Sequence, residues 1–272
     1  MKVKNTKISI LGCGWLGLTL GEKLQASGYL IKGSTTSESK LIDLNEKGIL
    51  PFIVCLNETN IEGNIEEFLL NSEVLIINIP PGLRKNPNKN HVAEIAQLMP
   101  YIEKSTVKYV LYVSSTSVYA DAFPFPTITE QIPPNGTLES AKQLVEIEKS
   151  LKENTNFKTT ILRFSGLFDA HRHPGKILSG RVNIQNPEAP VNLIHKDDCI
   201  GIIQSIIEKQ LWDATLNASY PNHPTKKEYY TMYCKKHHLA LPKFKNESPS
   251  KGKIIDGSKL AQLLNYEYKT GL

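Results

Sequence analysis

Apolar runs recur along the chain at Lys7–Leu11, Tyr29–Gly33, Phe52–Cys55, Val74–Ile79, Tyr109–Val113 and Thr159–Leu162, and most of the gaps between them carry helical periodicity. Runs of four to six mainly apolar residues are what strands covered on both faces look like. Their alternation with helical segments predicts an α/β fold, a Rossmann-type doubly wound parallel sheet. In the first helical gap Leu16, Leu20 and Leu24 repeat every fourth residue, and Gly28 follows as a stop. After Arg163 the pattern loosens. Residues 171–190 are rich in Gly, Pro and Asn, a helix is expected over His195–Lys209, and another after Pro224. The expected organisation is therefore a dinucleotide-binding domain over 1–168 and a smaller C-terminal substrate lobe over 169–272, with 195–217 returning to the main sheet. No internal repeat or low-complexity linker separates them.

The first strand runs directly into Gly12-x-Gly14-x-x-Gly17 and a helix, and that context predicts a pyrophosphate site. Gly12 permits a tight strand-to-helix turn, Gly14 lets backbone approach a diphosphate, and Gly17 lets helix and strand pack closely. The N–H groups of Trp15 and Leu16 belong to the helix start on which the anion would rest.

Composition narrows the remaining possibilities. In 272 residues the net charge of +5 comes from scattered lysines, with no basic stripe of the kind that binds nucleic acid. The four cysteines are far apart, form no C-x-x-C pair, and read as buried free thiols rather than a disulfide framework or zinc site. No apolar run reaches the ~20 residues needed to span a bilayer, so no membrane partner is expected and the cytoplasm is the expected compartment.

Four further segments follow in order: Tyr112-Val-Ser-Ser-Thr-Ser-Val-Tyr119, Ile161-Leu-Arg-Phe-Ser-Gly-Leu-Phe168, Val191-Asn-Leu-Ile-His-Lys-Asp-Asp198 and Asp256-Gly-Ser-Lys-Leu260. With the glycine loop, they make the chain resemble, over nearly its whole length, the extended short-chain dehydrogenases/reductases, the NAD-dependent epimerase/dehydratase family. The resemblance implies a large lobe that binds NAD or NADP and a small lobe that closes over a small-molecule substrate. It assigns cofactor contact to Gly12, Gly14, Trp15, Leu16, Gly17, Thr35, Thr36, Pro80, Pro81, Ser114 and Lys142. It makes Ser115 the residue that hydrogen-bonds a substrate oxygen, and Lys142 the lysine of the family's Tyr-x-x-x-Lys pair. Relatives that pair do so through helices flanking the tyrosine-bearing one, which implies a homodimer.

At the tyrosine the chain departs from the family. The residue four before Lys142 is Leu138, and none of the eleven tyrosines has a lysine four residues later. A leucine cannot carry the proton that the family's phenol moves. The resemblance is thus to an atypical branch with an incomplete catalytic set. Tyr119, Glu139, His171 and His173 are the candidate substitutes, the histidines having the most suitable intrinsic pKa, and Arg172 could bind an anionic substrate. Tyr119 is also a candidate substrate contact, with packing beside the cleft as its preferred role. Helix capping is preferred for the His195-x-Asp197-Asp198 segment.

At the end of the second strand, where NAD-selective sites carry a carboxylate, stand Ser34-Thr35-Thr36-Ser37, with Lys40 nearby, which favours NADP over NAD. No arginine is present to clamp a phosphate, and Glu38 would reach a ribose hydroxyl if the turn is one residue longer, a solvated helix start being its preferred role. Cys55 holds the place where relatives often have an Asp for the adenine amino group. Two functions fit this set. One is an NAD(P)-dependent epimerase, dehydratase or reductase acting on a nucleotide-sugar-like or other hydroxylated substrate. The other is a catalytically silent NADP(H)-binding sensor.

Overall fold

The computed structural model describes residues 6–245 and 249–272. In chain order the elements are β1 (Lys7–Leu11), α1 (Trp15–Ala26), β2 (Leu30–Thr35), α2 (Leu41–Glu46), β3 (Leu50–Leu56), β4 (Ile61–Gly63), α3 (Ile65–Leu69), β5 (Val74–Ile77), α4 (His91–Lys104), β6 (Tyr109–Ser115) and β7 (Thr127–Ile128). They continue as α5 (Glu139–Glu153), β8 (Lys158–Phe164), β9 (Gly166–Phe168), α6 (Pro174–Leu178), β10 (Leu193–His195), α7 (Lys196–Glu208), β11 (Thr215–Ala218), α8 (Lys226–Lys236), β12 (Ile254–Ile255) and α9 (Ser258–Leu264).

Eight strands form one sheet in the order β11-β8-β6-β5-β1-β2-β3-β4. The pairs β1/β2, β1/β5, β2/β3 and β5/β6 are parallel, and only the β3/β4 hairpin is antiparallel among these registers. The chain winds from β1 outward through β2 and β3, then returns to β5 on the other side of β1. That reversal makes the C-terminal ends of β1 and β5 the topological switch point, where ligands of such sheets bind. Ile8, Ile10, Leu75, Ile76 and Ile77 have no solvent exposure; β5 reads as an unbroken apolar run, while β1 also buries Ser9, whose hydroxyl is paired with the Phe68 carbonyl and Ser72 Oγ.

The strand expected over Val74–Ile79 ends at Ile77: the Asn78 N–H still donates to the Leu11 carbonyl, and the prolines beyond have no N–H to continue the ladder. β4 and the two-residue strands escaped the sequence reading because segments so short have no period to detect.

The chain divides into two compact units. The first takes the described chain up to Ser114, Leu138–Leu162 and Ile206–Thr215; the second takes Ser115–Thr137, Arg163–Ser205 and Leu216–Leu272. In the second, the parallel pairs β9/β10 and β7/β12 lie beside an aromatic core of Phe168, Val191, Leu193, Tyr229 and Tyr230, onto which Leu178, Phe244 and Leu272 pack. α8 begins with a complete capping box, Thr225 to Glu228 N–H and Glu228 back to Thr225.

Candidate functional site: the glycine loop and strand ends

In the first unit the three glycines do three different things. Gly12 has φ 101°, and a Cβ there would stand 2.7 Å from the Asn78 carbonyl oxygen. A Cβ on Gly17 would overlap the Gly12 carbonyl oxygen, so this glycine seats α1 against the loop. Gly14 is the opposite case: it is exposed, and a Cβ would meet nothing within 4 Å. No packing requirement explains a glycine there, whereas an open approach to backbone does. No side chain caps α1, so the positive end of the helix faces this opening uncapped. The residues present fit a dinucleotide diphosphate.

Two side chains hold the loop in this shape. The Gly12 N–H donates to Ser34 Oγ (2.9 Å) and the Cys13 N–H to the Ser34 carbonyl (2.8 Å). Asn78 Nδ2 donates to the Gly12 carbonyl (3.0 Å), while the Asn78 N–H donates to the Leu11 carbonyl (2.9 Å). Asn78 thus ties the ends of β1 and β5 together at the switch point. Sequence reasoning passed over it; an amide directly after a fully apolar strand was the available signal.

At the end of β2, Ser34 is buried and occupied by the loop, and the Thr35 hydroxyl accepts from the Ser37 N–H (3.2 Å). Thr36, Glu38 and Lys40 are exposed, and Ser37 and Ser39 share a hydroxyl pair at 2.9 Å. Pro80 is exposed and Pro81 half-buried, and Gly82 turns the chain with φ 77°.

Ser114 departs from its expected cofactor contact. It is buried, and its hydroxyl donates to Glu148 Oε1 at 2.5 Å, which turns it into the interior beneath α5. Leu138 precedes α5 as an N-cap with 69% exposure, and Lys142, one turn on, is exposed.

In the second unit, Ser115 Oγ accepts the Ser117 N–H (3.1 Å), which leaves its own proton available to donate. Tyr119 is 1% exposed, and its hydroxyl receives the Arg163 guanidinium and faces Asn217 Oδ1 at 3.3 Å, so the ring is a fixed interior part of this unit. Arg172 and His171 are exposed, their N–H groups held by Asp169.

His173 does not fit the expected acid/base role. It is buried, stacked on Tyr233 at 3.7 Å, and both ring nitrogens are engaged. Nδ1 accepts the Gly175 N–H (3.0 Å) as the cap of α6, which puts the proton on Nε2, toward the Tyr229 hydroxyl (2.9 Å). Burial, with His237 and Lys176 nearby, pushes its pKa down to about 4. His195 caps likewise: its Nδ1 accepts the Asp197 N–H at 3.2 Å.

Among the described residues no helix is long and apolar enough to cross a membrane. No protein-family profile matches the chain. It is 30% identical over 265 residues to protein YeeZ of Escherichia coli K12, covering 97% of this chain and 96% of that one. Among solved structures, it superposes on UDP-glucose 4-epimerase from Thermotoga maritima with a TM-score of 0.79 at 17% identity, covering 98% of this chain and 94% of that one. The same score and identity hold for UDP-glucuronic acid 4-epimerase from Bacillus cereus in complex with NAD, with 98% and 92% covered. A structure of MoeE5 with UDP-glucose and NAD gives 0.78 at 17% identity, with 98% and 94% covered.

Proposed function

The chain belongs to the family of Escherichia coli YeeZ and has the fold of the extended short-chain dehydrogenases/reductases, the NAD-dependent epimerase/dehydratase group; from that premise we propose that it is an NAD(P)-dependent enzyme of epimerase, dehydratase or reductase type. The observation that carries this reading is the opening at Gly14, an exposed glycine that packing does not need, at an uncapped helix start on the switch point of the sheet. The backbone at Gly14, Trp15 and Leu16 would hold the diphosphate, and the turn over Thr35 and Thr36 the adenosine ribose. Lys142 would hold the ribose on the nicotinamide side. A bound nicotinamide supplies the capacity to take and return a hydride.

The chain's own contribution is orientation. Ser115, with one lone pair on the Ser117 N–H, donates its proton to a substrate oxygen, and Arg172 attracts an anionic substrate. Several structural neighbours hold UDP-sugars, which favours a nucleotide-sugar-like substrate. The end of β2, where hydroxyls stand at the strand end and Lys40 follows Glu38, favours NADP, while neighbours were solved with NAD.

A second reading, a catalytically silent NADP(H)-binding protein of an atypical branch, is favoured by Leu138, an exposed leucine where the family's phenol belongs. Titration with NADPH and NADH, followed by Trp15 fluorescence, tests the shared premise; a folded protein that binds neither overturns both readings. Ser115→Ala then separates them. Loss of turnover on nucleotide-sugars at unchanged cofactor affinity supports the enzyme, and absence of turnover in the wild type supports the silent protein.

A further inference from the structure

If the diphosphate sits on α1, a parallel sheet of this order carries the adenosine half along the C-terminal ends of β2 and then β3. No carboxylate stands at the end of β3 itself, where the chain has Cys55. A carboxylate reaches this corner from a different element. The first turn of α4 is fastened beside the β3–β4 hairpin, since the Asn90 N–H donates to Glu58 Oε1 (2.8 Å) and Gln97 Nε2 to the Glu58 carbonyl (3.3 Å).

Glu94 lies on that turn and is only 6% exposed. Its Oε2 receives both His91 Nδ1 (2.8 Å) and Lys89 Nζ (2.9 Å). Among the described residues, no partner reaches its Oε1. Gln143 of α5 braces the group, accepting the His91 N–H (2.9 Å) and donating to the Lys89 carbonyl (3.1 Å).

A buried carboxylate with a neutralising ammonium on one oxygen and nothing on the other is an acceptor prepared for an outside donor. The Lys89 ammonium also lies beside the loop after β5, 3.5 Å from where a Cβ on Gly82 would stand. The cluster therefore joins the β3 end, the β5 loop and α4. Glu94 and Lys89 both act electrostatically on the Cys55 thiol, as neighbours across this corner would.

We infer that Glu94, presented from α4 and neutralised by Lys89, accepts a hydrogen bond from the exocyclic amino group of the cofactor's adenine. This rests on the dinucleotide-binding reading above. The probe is the reduced dinucleotide with hypoxanthine in place of adenine, whose 6-oxo group is an acceptor and meets the carboxylate unfavourably. Wild-type protein should bind its preferred reduced dinucleotide, NADPH or NADH, about tenfold or more tightly than the hypoxanthine form of the same dinucleotide, the worth of one hydrogen bond to a charged group. Glu94→Gln, whose amide offers both a donor and an acceptor, should bring the two within about twofold. Should that variant not fold, Glu94→Asp keeps the charge beside Lys89 but withdraws the acceptor by one methylene, and should weaken the discrimination. Equal binding of both dinucleotides by the wild type, or full discrimination in the folded variant, overturns the inference while leaving dinucleotide binding intact. Failure to bind either one overturns both.

Discussion

At the scale of single residues, the glycine loop separates packing from ligand access. Gly17→Ala drives a Cβ into the Gly12 carbonyl and should cost about 2–3 kcal/mol, the range of overpacked cores, read as a lowered denaturation midpoint. Gly14→Ala places its Cβ in open space. It should fold with a loss of no more than about 1 kcal/mol from the poorer N-cap, yet weaken NAD(P)H binding about tenfold or more. If both variants bind equally well, the opening at Gly14 is not where a diphosphate enters. Asn78→Ala removes the bond to the Gly12 carbonyl, worth about 1 kcal/mol, and should weaken cofactor binding through the loop without touching the ligand.

At the scale of elements, α6 is a short helix whose start depends on a neutral imidazole. Protonating His173 at Nδ1 would remove the acceptor for the Gly175 N–H and place a charge in the stack with Tyr233. In the unfolded chain the group titrates near 6.5, but in the fold only near about 4. Between those values the unfolded chain binds the proton and the folded protein does not. The stabilisation is therefore complete above about pH 6.5 and is lost as pH falls toward about 4. His91 and His223, also lowered by burial, act in the same direction, so a comparison of variants is needed. His173→Asn keeps a capping oxygen without the titration, and its melting temperature should approach that of the wild type as the buffer is taken from pH 7 to 4. A constant difference across that range would exclude this origin.

At the scale of the whole molecule, a single buried carboxylate secures the end of the second unit. Asp198, without solvent exposure at the start of α7, accepts from the Tyr266 hydroxyl (3.0 Å), the Lys269 N–H (2.8 Å) and the Thr270 N–H (3.1 Å). Asp198→Ala leaves these donors unpaired, and a loss of about 2–4 kcal/mol is expected from such a group. Amide exchange at Lys269 and Thr270 should accelerate more than elsewhere; unchanged exchange there would show that packing of Leu272 and the tyrosines suffices.

The parallel sheet and the glycine loop were legible in the sequence because their signals are local. A strand buried on both faces must be mainly apolar, and a helix start that receives an anion must lack side chains at fixed spacings. A helix start after His195 was legible for the same reason, but its cap is the imidazole itself, while Asp198 is turned to Tyr266, Lys269 and Thr270. The tertiary structure alone decided which polar side chains remain available. It turned Ser114 toward Glu148, closed both nitrogens of His173, and enclosed Tyr119 with Arg163. It also brought Asn78 onto Gly12 and Glu94 to the end of β3, across 66 residues in the first case. Hydrogen bonds and burial between residues far apart in the chain have no period and no local composition, so no reading along the chain could assign them.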